Sequence, residues 1–417
     1  MFRKTGLAVA MTLAAVSANA EQAPSMEEMW KIIQQQQAEI KALKGQLDNT
    51  DSKLEMTEKK VEATADAVEA APTGKLAKAA DFLNRTTIGG YGEHHFNRFK
   101  DKDDMVDAHR YVLFVGHEFR DDLRFFSELE VEHGLVFDSN DGSGDESPGE
   151  VELEQAYIEW DYAENQSAKF GQFLIPVGIM NETHEPDTFY GTERNVVEKN
   201  IIPATWWETG VMLSGEIAPG ISYDAGVHSG LEMADGDKIR SGRQKSAKAN
   251  AEDLAYTGRI KYTGIAGLEV AATVQYQEDV TQGGVSAGSS DAVLWETHIA
   301  YENGPFGLRA LYADWDIDAP DGGVFDSSGR DSQKGYYIEP SYKITPKLGV
   351  FVRYSEYDNN AGSSTSTADI LQWDAGVNYW LHPNVVLKAD YTDERKDCSG
   401  SSCTDNDSVN LGLGWSF

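Results

Sequence analysis

Beyond its first twenty residues the chain has no run approaching the roughly 20 apolar residues that a membrane-crossing helix requires. If so polar a chain, with mean hydropathy -0.47, crosses a bilayer, it must do so as a closed barrel, because only helices and barrels satisfy every backbone group in lipid. Positive charge is scarce as well. The 36 Lys and Arg stand against 69 Asp and Glu, a net charge of -33 at pH 7, which argues against nucleic acid as a partner of the chain as a whole. Cysteine is nearly absent: Cys398 and Cys403 enclose Ser-Gly-Ser-Ser, and without flanking ligands they predict a small local disulfide rather than a metal site. No Ser or Asp stands at telling spacing from a histidine, and the histidines are spread among strands and loops. No catalytic residue, cofactor or metal ligand is therefore assigned, and the chain is not read as an enzyme.

What is present divides into segments of different period. Arg3 and Lys4, the apolar stretch Leu7 to Val16 and the small-residue site Ala18-Asn19-Ala20 read as an export signal, residues 1–20, with a mature start near Glu21. From Met26 to Val68 an apolar residue returns every seven positions, at Met26, Ile33, Ile40, Leu47, Leu54, Val61 and Val68. That repeat predicts an α-helical coiled coil, residues 21–72, on the periplasmic side. Its companion positions, Met29, Gln36, Leu43, Thr50, Thr57 and Thr64, are mostly polar, so the zipper is expected to specify partners more than to stabilise them. Pro72 and Gly74 end the helix, and residues 73–85 read as a linker.

From residue 86 to 417 the period is two. In the last strand Val409, Leu411, Leu413, Trp415 and Phe417 alternate with Asn410, Gly412, Gly414 and Ser416. Leu268 to Tyr276, Leu348 to Tyr354 and Leu371 to Leu381 repeat the pattern, and their polar faces carry full charges in mid-strand. A sandwich core would not tolerate those charges, whereas a water-filled lumen does. The 18 Tyr, 16 Phe and 9 Trp suit aromatic girdles at both membrane interfaces. About 16 antiparallel strands are expected, in an all-β transmembrane barrel. Tight turns at Arg120-Asp121-Asp122, Glu164-Asn165, Ala218-Pro219-Gly220, Asn303-Gly304-Pro305, Thr345-Pro346-Lys347 and His382-Pro383-Asn384 alternate with longer acidic loops. That parity predicts an even strand number, an outer-membrane location and both termini in the periplasm.

One loop, Asp138 to Glu146, is rich in oxygen ligands. Its glycine falls where a calcium loop needs a ligand, so it reads as a solvated acidic segment. The third long loop, Pro176 to Trp206, is longer than its strands require and is expected to fold inward and narrow the channel. Its candidate constriction residues are Glu182, His184, Glu185, Asp187, Glu193, Arg194, Glu198 and Lys199, with Phe189, Tyr190, Ile201, Ile202 and Pro203 available to pin it to the wall. The acidic excess of that list predicts a passage that prefers cations.

The passage Lys169 to Gly178, its continuation through Glu193-Arg194, and Gly210 to Gly215 resemble the phosphate-selective porin O and P family, and the similarity extends over the whole barrel. The resemblance implies an outer-membrane porin. Coiled-coil amino-termini are also seen among trimeric relatives, so the resemblance implies a homotrimer in outer-membrane lipid. Phosphate channels of the family line the pore with an arginine ladder. Here the inward-phase cations Arg124, Arg259, Lys261, Arg309, Lys343, Arg353 and Lys388 are offset by Glu128, Glu130, Glu132, Glu159, Glu269, Glu296 and Glu339, so phosphate selectivity is not carried over. The expected function is passive diffusion of small hydrophilic solutes or ions. The alternatives are a channel specific for phosphate, dicarboxylates or sugars, and a barrel-anchored tether of the envelope through the coiled coil.

Overall fold

The computed structural model describes residues 75–134, 149–234, 236–284, 289–320, 323–363, 368–398 and 406–417, with scattered positions between 30 and 61. The signal segment, the coiled-coil seam apart from Val61, the acidic loop 138–146 and Cys403 lie outside the described residues. The chain forms two compact units, Met1–Ala80 and Asp81–Phe417. The stretch read as a linker contains a helix, α1 (Lys75–Asn84). Its Lys-Leu-Ala-Lys-Ala-Ala core is built from strong helix formers, and that propensity outweighs the Gly74 just before it.

The second unit is a closed antiparallel barrel of sixteen strands. These are β1 (Thr86–Phe99), β2 (Met105–Arg120), β3 (Leu123–Glu132), β4 (Val151–Ala163), β5 (Gln166–Leu174), β6 (Trp207–Ala218), β7 (Ile221–His228) and β8 (Ala255–Tyr262). They continue as β9 (Leu268–Gln277), β10 (Asp291–Asn303), β11 (Phe306–Asp318), β12 (Ser332–Thr345), β13 (Leu348–Asp358), β14 (Ala368–His382), β15 (Val385–Cys398) and β16 (Ser408–Ser416). Each strand pairs with its sequence neighbours, and β1 closes the ring on β16 from Tyr91↔Ser416 to Phe99↔Ser408. Closure leaves no unpaired edge, which a bilayer demands. Among the described residues no helix is long and apolar enough to cross a membrane.

The outward face is apolar in the phase the alternation predicts: Val270, Val274, Val352, Val377, Val409 and Leu411 are exposed. Exposed Phe119, Trp160, Tyr162, Tyr262, Phe306 and Tyr342 sit toward the short turns, and Tyr256, Tyr276, Trp295, Tyr336 and Trp373 toward the long loops. These are the two rims where amphipathic rings partition best.

The interior departs from a uniformly wet lumen. On the inward faces of β10 to β12, Leu294, Leu311, Ala313, Trp315, Ile317 and Tyr337 are buried with Ile175, Val177, Val197, Ile201, Ile202 and Trp206 of the third long loop. Each large aliphatic side chain so removed from water contributes roughly 1.5–3 kcal/mol. The loop is therefore an integral part of the fold.

Candidate functional site

The third long loop, 175–206, enters the barrel because its own polar groups and apolar side chains tie it to nearly every part of the wall. Asn181 joins its two ends: Nδ2 donates to the carbonyls of Ile175 (2.7 Å) and Trp206 (2.9 Å), and Oδ1 accepts from the Trp206 amide (2.7 Å). Asn195 caps the short helix α2 (Val196–Asn200), accepting from the amides of Val197 and Glu198, as an amide at the N-cap does. Its Nδ2 donates to Ser355 of β13 at 3.1 Å. Glu198 points back into the dry side, where it accepts from the Ile179 amide (2.9 Å), the Met180 amide (2.6 Å) and the Tyr337 hydroxyl (2.6 Å). Burial raises its pKa, against the bonds from Tyr337 and Met180. Gly178, at φ 71, has no Cβ because one would stand 2.7 Å from the Glu198 carboxylate; only glycine adopts that backbone so close to a buried oxygen without strain.

The opposite side of the loop is held by charge. His184 lies buried 3.5 Å from Glu154 and 3.7 Å from Glu128. Burial and Arg194 push its pKa down, but the two carboxylates outweigh them and lift it to about 9. Arg259 pairs with Glu182 of the loop and with Asp224 at 2.7 Å. Arg353 pairs with Glu339 (2.6 Å) and Asp374 (3.5 Å) and donates to the Tyr190 carbonyl at 2.7 Å. Asn378 donates to the Phe189 carbonyl at 2.9 Å, and the Lys388 ammonium sits 3.5 Å from the Phe189 ring centroid. Ile201 and Ile202 are buried, and Trp315 donates to the Ile201 carbonyl at 2.8 Å.

Two cavities flank the loop. The larger, about 1090 Å³, reaches toward the short turns, and five carboxylates (Glu182, Asp187, Glu269, Glu302, Glu339) face five cations (Arg259, Lys261, Arg309, Lys343, Lys347) in its lining. The smaller, about 170 Å³, carries Glu93, Glu132 and Glu193 against Arg110, Arg194, Lys199 and Arg240, with His95, His109 and His133.

Of the eight loop residues picked from sequence, Glu182 and Asp187 line the larger cavity and Glu193, Arg194 and Lys199 the smaller. Glu185 is half-buried and lines neither. His184 and Glu198 face no passage; both are buried and bind the loop to the wall. The expected acidic excess is thereby largely cancelled, since Glu182 is paired with Arg259, Glu193 with His95 at 3.1 Å, and Glu198 is enclosed. Burial would raise Glu193, but the hydrogen bond and charge of His95 hold it well below the usual carboxylate range.

Among the wall charges, Arg124 pairs with Glu159 (2.8 Å) and Asp161 (2.7 Å), and Lys261 lies 3.7 Å from Glu269. Glu128 accepts from Gln155 at 2.7 Å, Glu130 takes Arg110 at 3.0 Å, and Arg309 donates to the Thr188 carbonyl at 2.9 Å. Arg240 and Arg243, on the connection 229–254, escaped sequence reading because no period marks a loop residue that reaches into a lumen. The histidines are not scattered either. His95 and His109 stack with ring centroids 4.3 Å apart, and His109 meets His133 edge-on at 5.3 Å, because β1, β2 and β3 are neighbours.

Comparison with known proteins agrees with this architecture. Residues 89–417 match the family described as phosphate-selective porin O and P. A protein of Aquifex aeolicus (strain VF5), described as uncharacterized, is 30% identical over 360 residues, 79% of this chain and 80% of its own. The anion-selective porin from Comamonas acidovorans superposes with TM-score 0.57 at 13% identity, over 80% of this chain and 99% of the other. The outer membrane channel DcaP of Acinetobacter baumannii does so with TM-score 0.56 at 15% identity, over 80% and 97%. With its closed sixteen-strand wall and inward third loop, the chain belongs to the phosphate-selective porin O and P family and is an outer-membrane porin.

Proposed function

We propose that this porin passes small hydrophilic solutes by unassisted diffusion and that its ion preference is set in the smaller cavity, weakly toward anions. The observation that carries this reading is how Arg194 and Arg240 of its lining are satisfied, Arg110 being paired with Glu93 and Glu130. Arg194 donates to the Thr205 hydroxyl at 3.5 Å and Arg240 to the carbonyls of Lys199 (2.8 Å) and Ala204 (2.5 Å), while Arg243, outside the lining, donates to the Thr205 carbonyl at 2.5 Å. A neutral oxygen satisfies an N–H without cancelling the charge. Burial, followed by the repulsion of Arg243 and Arg194, lowers the Arg240 pKa to about 9, with Glu132 acting the other way. Fixed charge at a narrow passage outweighs the distant net charge of the chain. Reversal potentials in planar bilayers test it. A modest anion preference at low salt is expected, fading near molar salt where the screening length is about 3 Å, and Arg240→Gln with Arg194→Gln should abolish it. Cation preference in the unmodified protein overturns the reading.

We further propose a homotrimer gathered by the coiled coil of residues 21–72, following the signal of residues 1–20, with both termini periplasmic. The heptad from Met26 to Val68 and the shared end of the barrel at which β1 begins and β16 closes support this. Deleting residues 21–71 should weaken the trimer in mild detergent while conductance survives. If envelope integrity fails while oligomerisation is unaffected, the helix acts as a tether instead.

A further inference from the structure

Three of the nine histidines of the chain converge on one wall position that the diffusion function does not require. Along β1 and β2 the register steps from Glu93↔Arg110 to His95↔Asp107, so β2 carries one extra residue there. Such a bulge re-aims side chains, and here it lets Asp107, His109 and Arg110 all face the lumen. His133, just past β3, is tied to the same place by its amide, which donates to the His109 carbonyl at 2.9 Å.

We propose that Asp107, His109 and His133 form a binding site for a divalent transition ion of the zinc class. The Asp107 Oδ2 lies 2.8 Å from His109 Nδ1 and 2.9 Å from His133 Nδ1, and the three ligand atoms lie within 4.8 Å of one another. Bonds of about 2.0–2.2 Å to one tetrahedral ion require ligand atoms roughly 3.3–3.5 Å apart, so the ion enters as the carboxylate draws back from the two imidazoles and the imidazole nitrogens settle to the same spacing. It replaces the protons the three groups now share. Two imidazole nitrogens and one carboxylate oxygen suit zinc, nickel or copper, whereas magnesium and calcium demand oxygen throughout. The fourth position is left to water from the smaller cavity, which His109 and His133 both line.

The surrounding charges can adjust. Arg110 Nη2 stands 2.8 Å from His109 Nε2; when the ion takes Nδ1, Nε2 carries the proton and Arg110 must turn away. Glu132, 3.9 Å from the same Nη2, is the acceptor toward which it turns, while Glu93 and Glu130 keep its other nitrogens at 2.7 and 3.0 Å.

The test uses the full-length chain without a histidine tag, refolded in detergent and titrated with Co2+, then with Zn2+ as competitor. One Co2+ per chain is expected, with the visible ligand-field bands of a nitrogen and oxygen site, displaced by Zn2+ but not by excess Mg2+. Asp107→Asn and His133→Ala should each weaken binding by more than the roughly 10- to 100-fold that loss of an outer-shell partner costs, and His382→Ala should not. Heat-dependent gel mobility verifies that each variant remains a folded barrel. Absence of saturable binding at one ion per chain, or affinity unchanged in His133→Ala, overturns the proposal. Because the readout is binding, it stands or falls independently of conductance.

Discussion

The two sides on which the third long loop rests are built from opposite materials. Against β10 to β12 it meets Leu294, Leu311, Trp315 and Ile317 in a dry cluster. Against β1 to β4 and β13 to β15 it is met by ion pairs and hydrogen bonds to its backbone. Apolar burial is nondirectional and is not screened by dissolved ions, so the first side supplies adhesion. Charged groups are directional and costly to leave unpaired, so the second side fixes where the loop lies and what the passages beside it carry. A porin needs both, since an apolar lining all round would dewet the channel and a charged lining all round would leave the loop weakly held.

The comparison breaks most sharply at Trp315, fully buried and bonded to the Ile201 carbonyl. Trp315→Ala is expected to cost about 3–5 kcal/mol, and the loss falls on the loop, because the hydrogen-bonded wall closes without it. Single-channel conductance should rise and become noisy, and the loop should become protease-sensitive while heat-dependent mobility is retained; an unaltered conductance would mean that the dry side does not hold the loop. Glu198→Gln is the next largest. It keeps the shape but weakens charge-assisted bonds from Ile179, Met180 and Tyr337, each worth about 1.5–3 kcal/mol, so protease sensitivity of the loop should increase with a smaller change in conductance.

The charged side is sharpened by pH. The His184 pKa is raised from 6.5 to about 9, so protonation stabilises the folded loop. That contribution is fully present below about pH 6.5 and is lost as pH rises through about 9. Channel noise should therefore grow between pH 8 and 10 in the unmodified protein and be insensitive to pH across that interval in His184→Gln. The smallest effect belongs to Arg124, partly exposed beside Glu159 and Asp161. Arg124→Ala should change thermal stability by about 1 kcal/mol or less, as solvent-screened pairs do; a larger loss would show that this end of the lumen is less wet than it looks.

Strands were legible wherever one face met lipid and the other met water. From Val409 to Phe417 that contrast is complete, and the strand stands as the alternation predicts. In Ala292-Val293-Leu294-Trp295 the contrast is lost, because Ala292 and Leu294 are buried inward while Trp295 faces lipid. Period two marks a difference between faces, and where both faces are apolar it has nothing to mark. Glu198 misled for the related reason that a carboxylate in a polar loop reads as solvated until its partners, the backbone amides of Ile179 and Met180 and the Tyr337 hydroxyl of β12, are in place.

By itself the sequence determined the class of the molecule: the absence of an apolar helix, the two-residue period, the alternation of short and long connections and the aromatic last strand leave a membrane barrel as the only arrangement that satisfies the backbone in lipid. Those signals are local, and each residue carries its share without knowing its distant neighbours. Tertiary structure alone decided which loop carboxylates face a passage, that Arg194, Arg240 and Arg243 donate to neutral oxygens of the chain, and that His95, His109 and His133 meet. A closed barrel brings together residues hundreds of positions apart, as Asn97 and Asn410 show at 2.9 Å, and the pairing of charges across such distances depends on three-dimensional proximity, which no one-dimensional period encodes.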